Sequence, residues 1–192
     1  MTSGARSIGV LILALVLPAE AQTWDLPALM REMAQVPASR ARFVETRHIV
    51  LLTRPLELKG SLTYERPHRL SKHVQSPVDE LLSVDGDALT VLNKTSGEQR
   101  MVSLREQPAA GALVASVRAT LAGDLGELER HYEAGLSGAR ASWSLRLVPR
   151  DAQLRRAVES ILLAGAGARL QRIEALETSG DRSIMTILHD GK

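Results

Sequence analysis

From Leu56 onward the apolar side chains fall on every second residue, Leu56, Leu58, Leu62 and Tyr64, with Gly60 keeping the beat. Glu57, Lys59, Ser61, Thr63 and Glu65 fill the alternate positions, which is the period of a strand with one face buried. Two positions past Tyr64 the same count brings Arg66 to the apolar face, directly before Pro67, which cannot extend a ladder. A guanidinium placed there needs a partner.

The chain then continues in strands. Leu81-Leu82-Ser83-Val84, Asp85-Gly86 and the run from Asp87 to Asn93 read as two strands joined by a dipeptide that favours a tight hairpin turn. Strands are expected over 56–66, 69–75, 80–84, 88–93 and 99–104, each an antiparallel neighbour of the last. Upstream, residues 42–52 are rich in β-branched side chains but alternate poorly, Phe43, Glu45, Arg47 and Ile49 against Val44, Thr46, His48 and Val50, so the period assigns no face to them. Residues 22–36 suit a short amphipathic helix, capped by Asp25 with Pro27 in its first turn and ended by Pro37.

A different pattern opens at Pro108. Ala110, Leu113, Val114, Val117 and Leu121 recur at the spacing of one helix face, and Arg118 is the only charge between Pro108 and Gly123. A helix so poor in charge should lie on something apolar, as a permanent layer or as a lid. Asp124 caps a further short helix that closes at Gly135. Strand character returns over 141–149, 170–178 and 183–188, while residues 151–163 suit either a helix (Leu154, Val158, Ile161, Leu162) or a helical turn followed by a strand. The sum is a mainly β, α+β domain: one large, strongly curved antiparallel sheet with helices grouped on its concave side.

The two ends of the chain bound where it works. Arg6, the apolar run from Ile8 to Leu17 and Ala19-Glu20-Ala21 form an export signal over residues 1–21, cleaved after Ala21, which leaves a single domain over 22–192. The run is too short to span a bilayer. With no cysteine there is neither a disulfide nor a lipid attachment site, so a freely diffusing periplasmic monomer is expected. The 24 basic and 22 acidic residues are interleaved rather than clustered, which argues against nucleic acid as a partner.

Catalytic signatures are missing from the sequence. There is no G-x-S-x-G elbow, no H-E-x-x-H and no cysteine nucleophile, and His48, His68, His73, His131 and His189 lack metal-ligand spacing, so neither an enzyme nor a metal or other cofactor is expected. A half-open sheet under a weakly charged helix suits a different task, sheltering hydrocarbon from water. At about 0.8 kcal/mol per methylene, a ~14-carbon acyl chain gains on the order of 11 kcal/mol before association costs. Periodicity alone does not separate such a cavity from an ordinary filled core. Arg66 likewise reads two ways, as a strand-end side chain reaching solvent or as a donor to backbone carbonyls of the covering helix.

Taken in order, G-x-L-x-Y-x-R-P at 60–67, Gln75-Ser76-Pro77 and S-V-D-G-D-A-L-T-V-L at 83–92 resemble the outer-membrane lipoprotein carrier (LolA-like) family. Val148-Pro149-Arg150, and the segment Ile173 to Ile187 with Glu174 and Gly180-Asp181-Arg182-Ser183, are similar to its later motifs. The resemblance implies an incomplete antiparallel β-barrel with a helical lid, and a carrier that shelters the acyl chains of lipoproteins or another lipid between an inner-membrane transporter and an outer-membrane acceptor. It favours the helical turn and strand for 151–163, and it casts Arg66 as the latch of the lid. Expected cavity walls are then Phe43, Leu56, Leu58, Leu62, Tyr64, Leu92, Trp143 and Leu145, with Leu113 and Val117 as lid contacts. The chain departs from the family at Thr90 and Leu92 and around Ser71 to Val74, where aromatics are usual, so its cargo need not be a triacylated lipoprotein. An adaptor of the same fold that binds a protein partner and carries nothing is the alternative.

Overall fold

The computed structural model describes residues 24–189; the export signal expected over 1–21 lies outside them. Eleven antiparallel strands form one sheet in the order β6-β5-β4-β3-β2-β1-β11-β10-β9-β8-β7, and the edges β6 and β7 do not pair, so the barrel stays open. The first six are β1 (Ala38–His48), β2 (Leu56–Glu65), β3 (Arg69–Ser76), β4 (Glu80–Asp85), β5 (Ala88–Asn93) and β6 (Gln99–Ser103). The others are β7 (Tyr132–Ala139), β8 (Ser142–Pro149), β9 (Val158–Ala166), β10 (Arg169–Glu177) and β11 (Arg182–Leu188). Two meanders therefore meet at the β1–β11 pair. The chain leaves one open edge after β6 and must reach the other at β7, and it does so through the helices α2 (Pro108–Ala122) and α3 (Leu125–His131). That crossing is why the helices lie over the concave face.

The helix α1 (Leu26–Met33) is built as its sequence asks: the Asp25 carboxylate accepts from the Ala28 N–H at 2.8 Å, and Leu29, Met30 and Met33 are buried. α2 begins at Pro108 and stops at Gly123, whose φ of 70° is left-handed. A side chain at Gly123 would also meet the Met30 carbonyl oxygen at 2.3 Å, so this position fixes how closely α1 and α2 approach. Ala112, Ser116, Ala119 and Thr120 face the buried side of α2, and the two hydroxyls are satisfied within the helix, Ser116 by the Leu113 carbonyl and Thr120 by the Ser116 carbonyl. The Tyr132 hydroxyl of β7 donates to the Ala112 carbonyl at 2.8 Å and pins α2 to the far edge.

Three boundaries near the site differ from expectation, and one segment left open resolves as the resemblance favoured. β1 runs from Ala38 to His48 rather than over 42–52; Phe43 and Glu45 are buried on one face with Arg47 beside them, so charge occupies an inward face and spoils the alternation. β2 ends at Glu65, so the period that aims Arg66 inward stops one residue short of it. α3 closes at His131, and Tyr132–Ala139 is a strand where helix was expected up to Gly135, because pairing with β8 outweighs a weak helical pattern. Residues 154–156 form a single 3-10 turn before β9, which settles 151–163 as turn and strand.

Candidate functional site

The inward faces of the two meanders are covered unequally. β8 and β9 place Trp143, Leu145, Leu147, Ile161 and Leu163 against α1, α2 and α3, in a core that leaves each of them at most 2% exposed. Pairing puts Leu62, Lys72 and Leu82 in one row across β2, β3 and β4, and Tyr64, Leu70, Val84 and Leu89 in the next row across β2 to β5. Above those rows lies a cavity of about 840 Å³, roofed by Ala110, Leu113, Val114, Val117 and Leu121 of α2. Its size falls in the ~300–1,000 Å³ range of ligand pockets.

Polar groups of two kinds border this apolar space. At one end the Glu45 carboxylate, 2% exposed, accepts from Arg47 Nε and Ser183 Oγ, each at 2.7 Å, and from Lys72 Nζ. Lys72 reaches Glu45 by crossing Phe43, its ammonium 4.9 Å from the ring centroid. Gly60 permits the crossing: a side chain there would meet the His73 carbonyl oxygen at 1.8 Å and the Phe43 ring at 3.1 Å. Burial alone would raise the Glu45 carboxyl, but the charges and hydrogen bonds of Lys72 and Arg47 together hold it below the ordinary glutamate value. Burial pushes the Lys72 ammonium down, Glu45 working against it. Tyr64 also borders the cavity; its hydroxyl is buried and has no hydrogen-bond partner among the described residues.

A model of outer membrane lipoprotein carrier protein LolA-like sequences matches residues 18–190. The chain belongs to that family. No curated protein matches the sequence. Among solved structures, a LolA superfamily protein from Nitrosomonas europaea is 11% identical, with 88% of this chain and 96% of that one covered at a TM-score of 0.46. A putative outer membrane lipoprotein-sorting protein domain from Vibrio parahaemolyticus is 8% identical, covering 84% and 88%, at 0.47. The MucA/MucB complex of Pseudomonas aeruginosa gives 11% identity, 85% and 56% coverage, and 0.46.

In this LolA-like chain, Leu62, Tyr64, Leu113 and Val117 stand together on the cavity wall. Phe43, Leu58, Trp143 and Leu145 sit in the packed core, with Leu56 half-buried against it, and the Trp143 indole N–H donates to the Gly167 carbonyl at 2.8 Å. Leu92 pairs with Leu81 and so points to the opposite face from Val91; the wall nearby is supplied by Leu82 and Leu89 instead. Arg66 is exposed in the turn after β2, and among the described residues its guanidinium donates to no carbonyl of α2. A bond that joins α2 to the β2–β5 side of the sheet runs the other way: Arg118 Nη1 donates to the Gly86 carbonyl, at the β4–β5 turn, at 3.0 Å. Its sequence signal was its isolation, the single charge on an apolar helix. Glu45 and Lys72 gave no comparable signal, because a lone charge in a strand reads as the solvent face.

Proposed function

We propose that this LolA-like protein is a periplasmic carrier that holds the acyl part of a lipoprotein or another lipid between α2 and the strands β2 to β5. The observation that carries the reading is the 840 Å³ cavity, walled by Leu62, Leu82, Leu89, Leu113 and Val117 next to a core that is otherwise closely filled. An apolar space of that size gains nothing from water, whereas an acyl chain brings about 0.8 kcal/mol for each methylene it buries. Cargo is received from an inner-membrane transporter and given up to an outer-membrane acceptor, with α2 moving to admit and release it. Arg118 holds α2 down through one exposed hydrogen bond, which a membrane or protein partner breaks at small cost.

Native mass spectrometry of the protein isolated from the envelope of its own cells, followed by organic extraction, tests this. The carrier reading expects a discrete acylated molecule at one per chain. A clean unliganded mass, with no uptake of acyl probes, would leave an adaptor that binds a protein partner and carries nothing.

A further inference from the structure

Among the described residues, the formally charged groups that border the cavity are all basic. Arg47, Lys72, Arg140 and Arg169 line it, with His189 beside them, and no described aspartate or glutamate does, although the chain as a whole has 22 acidic residues against 24 basic ones. Three of the five are accounted for at the rim. Arg140 is held by Glu32 at 2.6 Å, a ring nitrogen of His189 lies 2.7 Å from the Leu170 carbonyl, and Arg169 is exposed.

Lys72 and Arg47 are different, because they meet on one buried carboxylate, that of Glu45. Lys72 borders the cavity with its side chain only 17% exposed. An ammonium has three N–H donors and a guanidinium five, and the Glu45 carboxylate takes one from each while Ser183 occupies another of its lone pairs. Two positive charges thus share one negative charge. Glu177 is near enough to feel Arg47, but it does not border the cavity and leaves Lys72 untouched. Burial works against the Lys72 ammonium, so a second anion beside it would be favoured.

Resting on the carrier reading, we infer that the cargo is an acidic amphiphile, its carboxylate or phosphate oxygens held by Lys72 and Arg47 while its chain lies along Leu62, Leu82, Leu113 and Val117. Glu45 acts as a positioning residue that keeps the two cations at the cavity end. Selection comes from charge: a neutral head group would bury beside an uncompensated cation and forfeit the charge-assisted hydrogen bonds an acid makes there.

The test is displacement of a fluorescent acyl probe from delipidated full-length mature protein by hexadecanoate, by hexadecanol and by 1-palmitoyl lysophosphatidate, at constant salt. The acid or the lysophosphatidate should bind about tenfold or more tightly than the alcohol, and the tighter of the two names the head group. In Lys72→Met that preference should shrink to about twofold. Should Lys72→Met fail to fold, the half-exposed Arg47→Gln, which should reduce the same ratio, and the ratio in the parent protein still decide. Binding of both the acid and the lysophosphatidate no tighter than that of the alcohol overturns the inference and leaves the carrier reading standing. Binding of none of the three overturns the carrier reading itself. A preference that survives in both variants removes the role given to Lys72 and Arg47.

Discussion

The β7–β10 flank and the β2–β5 flank belong to one continuous sheet and face the same helices, yet one is filled and the other hollow. On β8, Trp143, Leu145 and Leu147 alternate with exposed or half-exposed residues, and each buried side chain meets α1, α2 or α3. On β3, β4 and β5 the inward Val74, Val84 and Val91 are buried, but Leu70, Lys72, Leu82 and Leu89 on the same face stay half-buried, because α2 stands off from them across the cavity. The difference follows from the size of the side chains on α2. Its small residues, Ala112, Ser116 and Ala119, let it settle deeply on one flank, and its larger ones, Leu113, Val117 and Leu121, project towards the other without reaching it. Close packing and open space are thus divided between the flanks.

That division can be broken by substitution, and the largest effect should come from the charge network. Glu45→Ala leaves Lys72 and Arg47 beside the cavity without their shared anion, which should cost about 3–5 kcal/mol in urea unfolding. The same residue gives a pH signature. Its folded pKa lies below the ordinary value of 4.5, so its stabilisation is fully present above that value and is lost as the pH falls through the folded one. Glu45→Gln should flatten the stability profile on that acid limb. Next in size, Leu147→Ala on the filled flank should cost about 2–5 kcal/mol, whereas Leu82→Ala on the hollow flank should cost less than about 1 kcal/mol and weaken acyl-probe binding instead. Similar losses at both positions would show that the flanks do not differ. The smallest effect is expected at Arg118→Ala: a change of about 0.5–1.5 kcal/mol in stability, but faster release of a bound probe in stopped-flow displacement.

Much of this architecture was legible in the sequence, and the gaps have physical causes. Alternation at Leu56 to Tyr64, the Asp85-Gly86 turn and the apolar face of residues 110–121 each describe a local pattern, and each element formed where its pattern lies. Leu62, Tyr64, Leu113 and Val117 were legible as apolar-face residues for the same reason, and in the structure they border the cavity. Trp143 and Leu145 carry an identical pattern and occupy the core, since a period reports which face is apolar and not how far away the covering layer stands. Arg66 illustrates a second limit: extending the count past Glu65 assumes a strand that the fold ends there. The Glu45, Lys72, Arg47 and Ser183 network joins three strands far apart in the chain, β1, β3 and β11, and only the assembled sheet brings them together.

The central claim is that the hollow flank is a binding space rather than loose packing, and filling it tests that most directly. Leu113→Trp places a large ring in the cavity roof without disturbing Ala112 or Ser116 on the packed side of α2. Titration of delipidated protein with a fluorescent C16 acyl probe should give one site per chain in the parent and none in the variant, with the melting temperature held or raised. Undiminished binding by Leu113→Trp, or no binding by the parent, would contradict the claim.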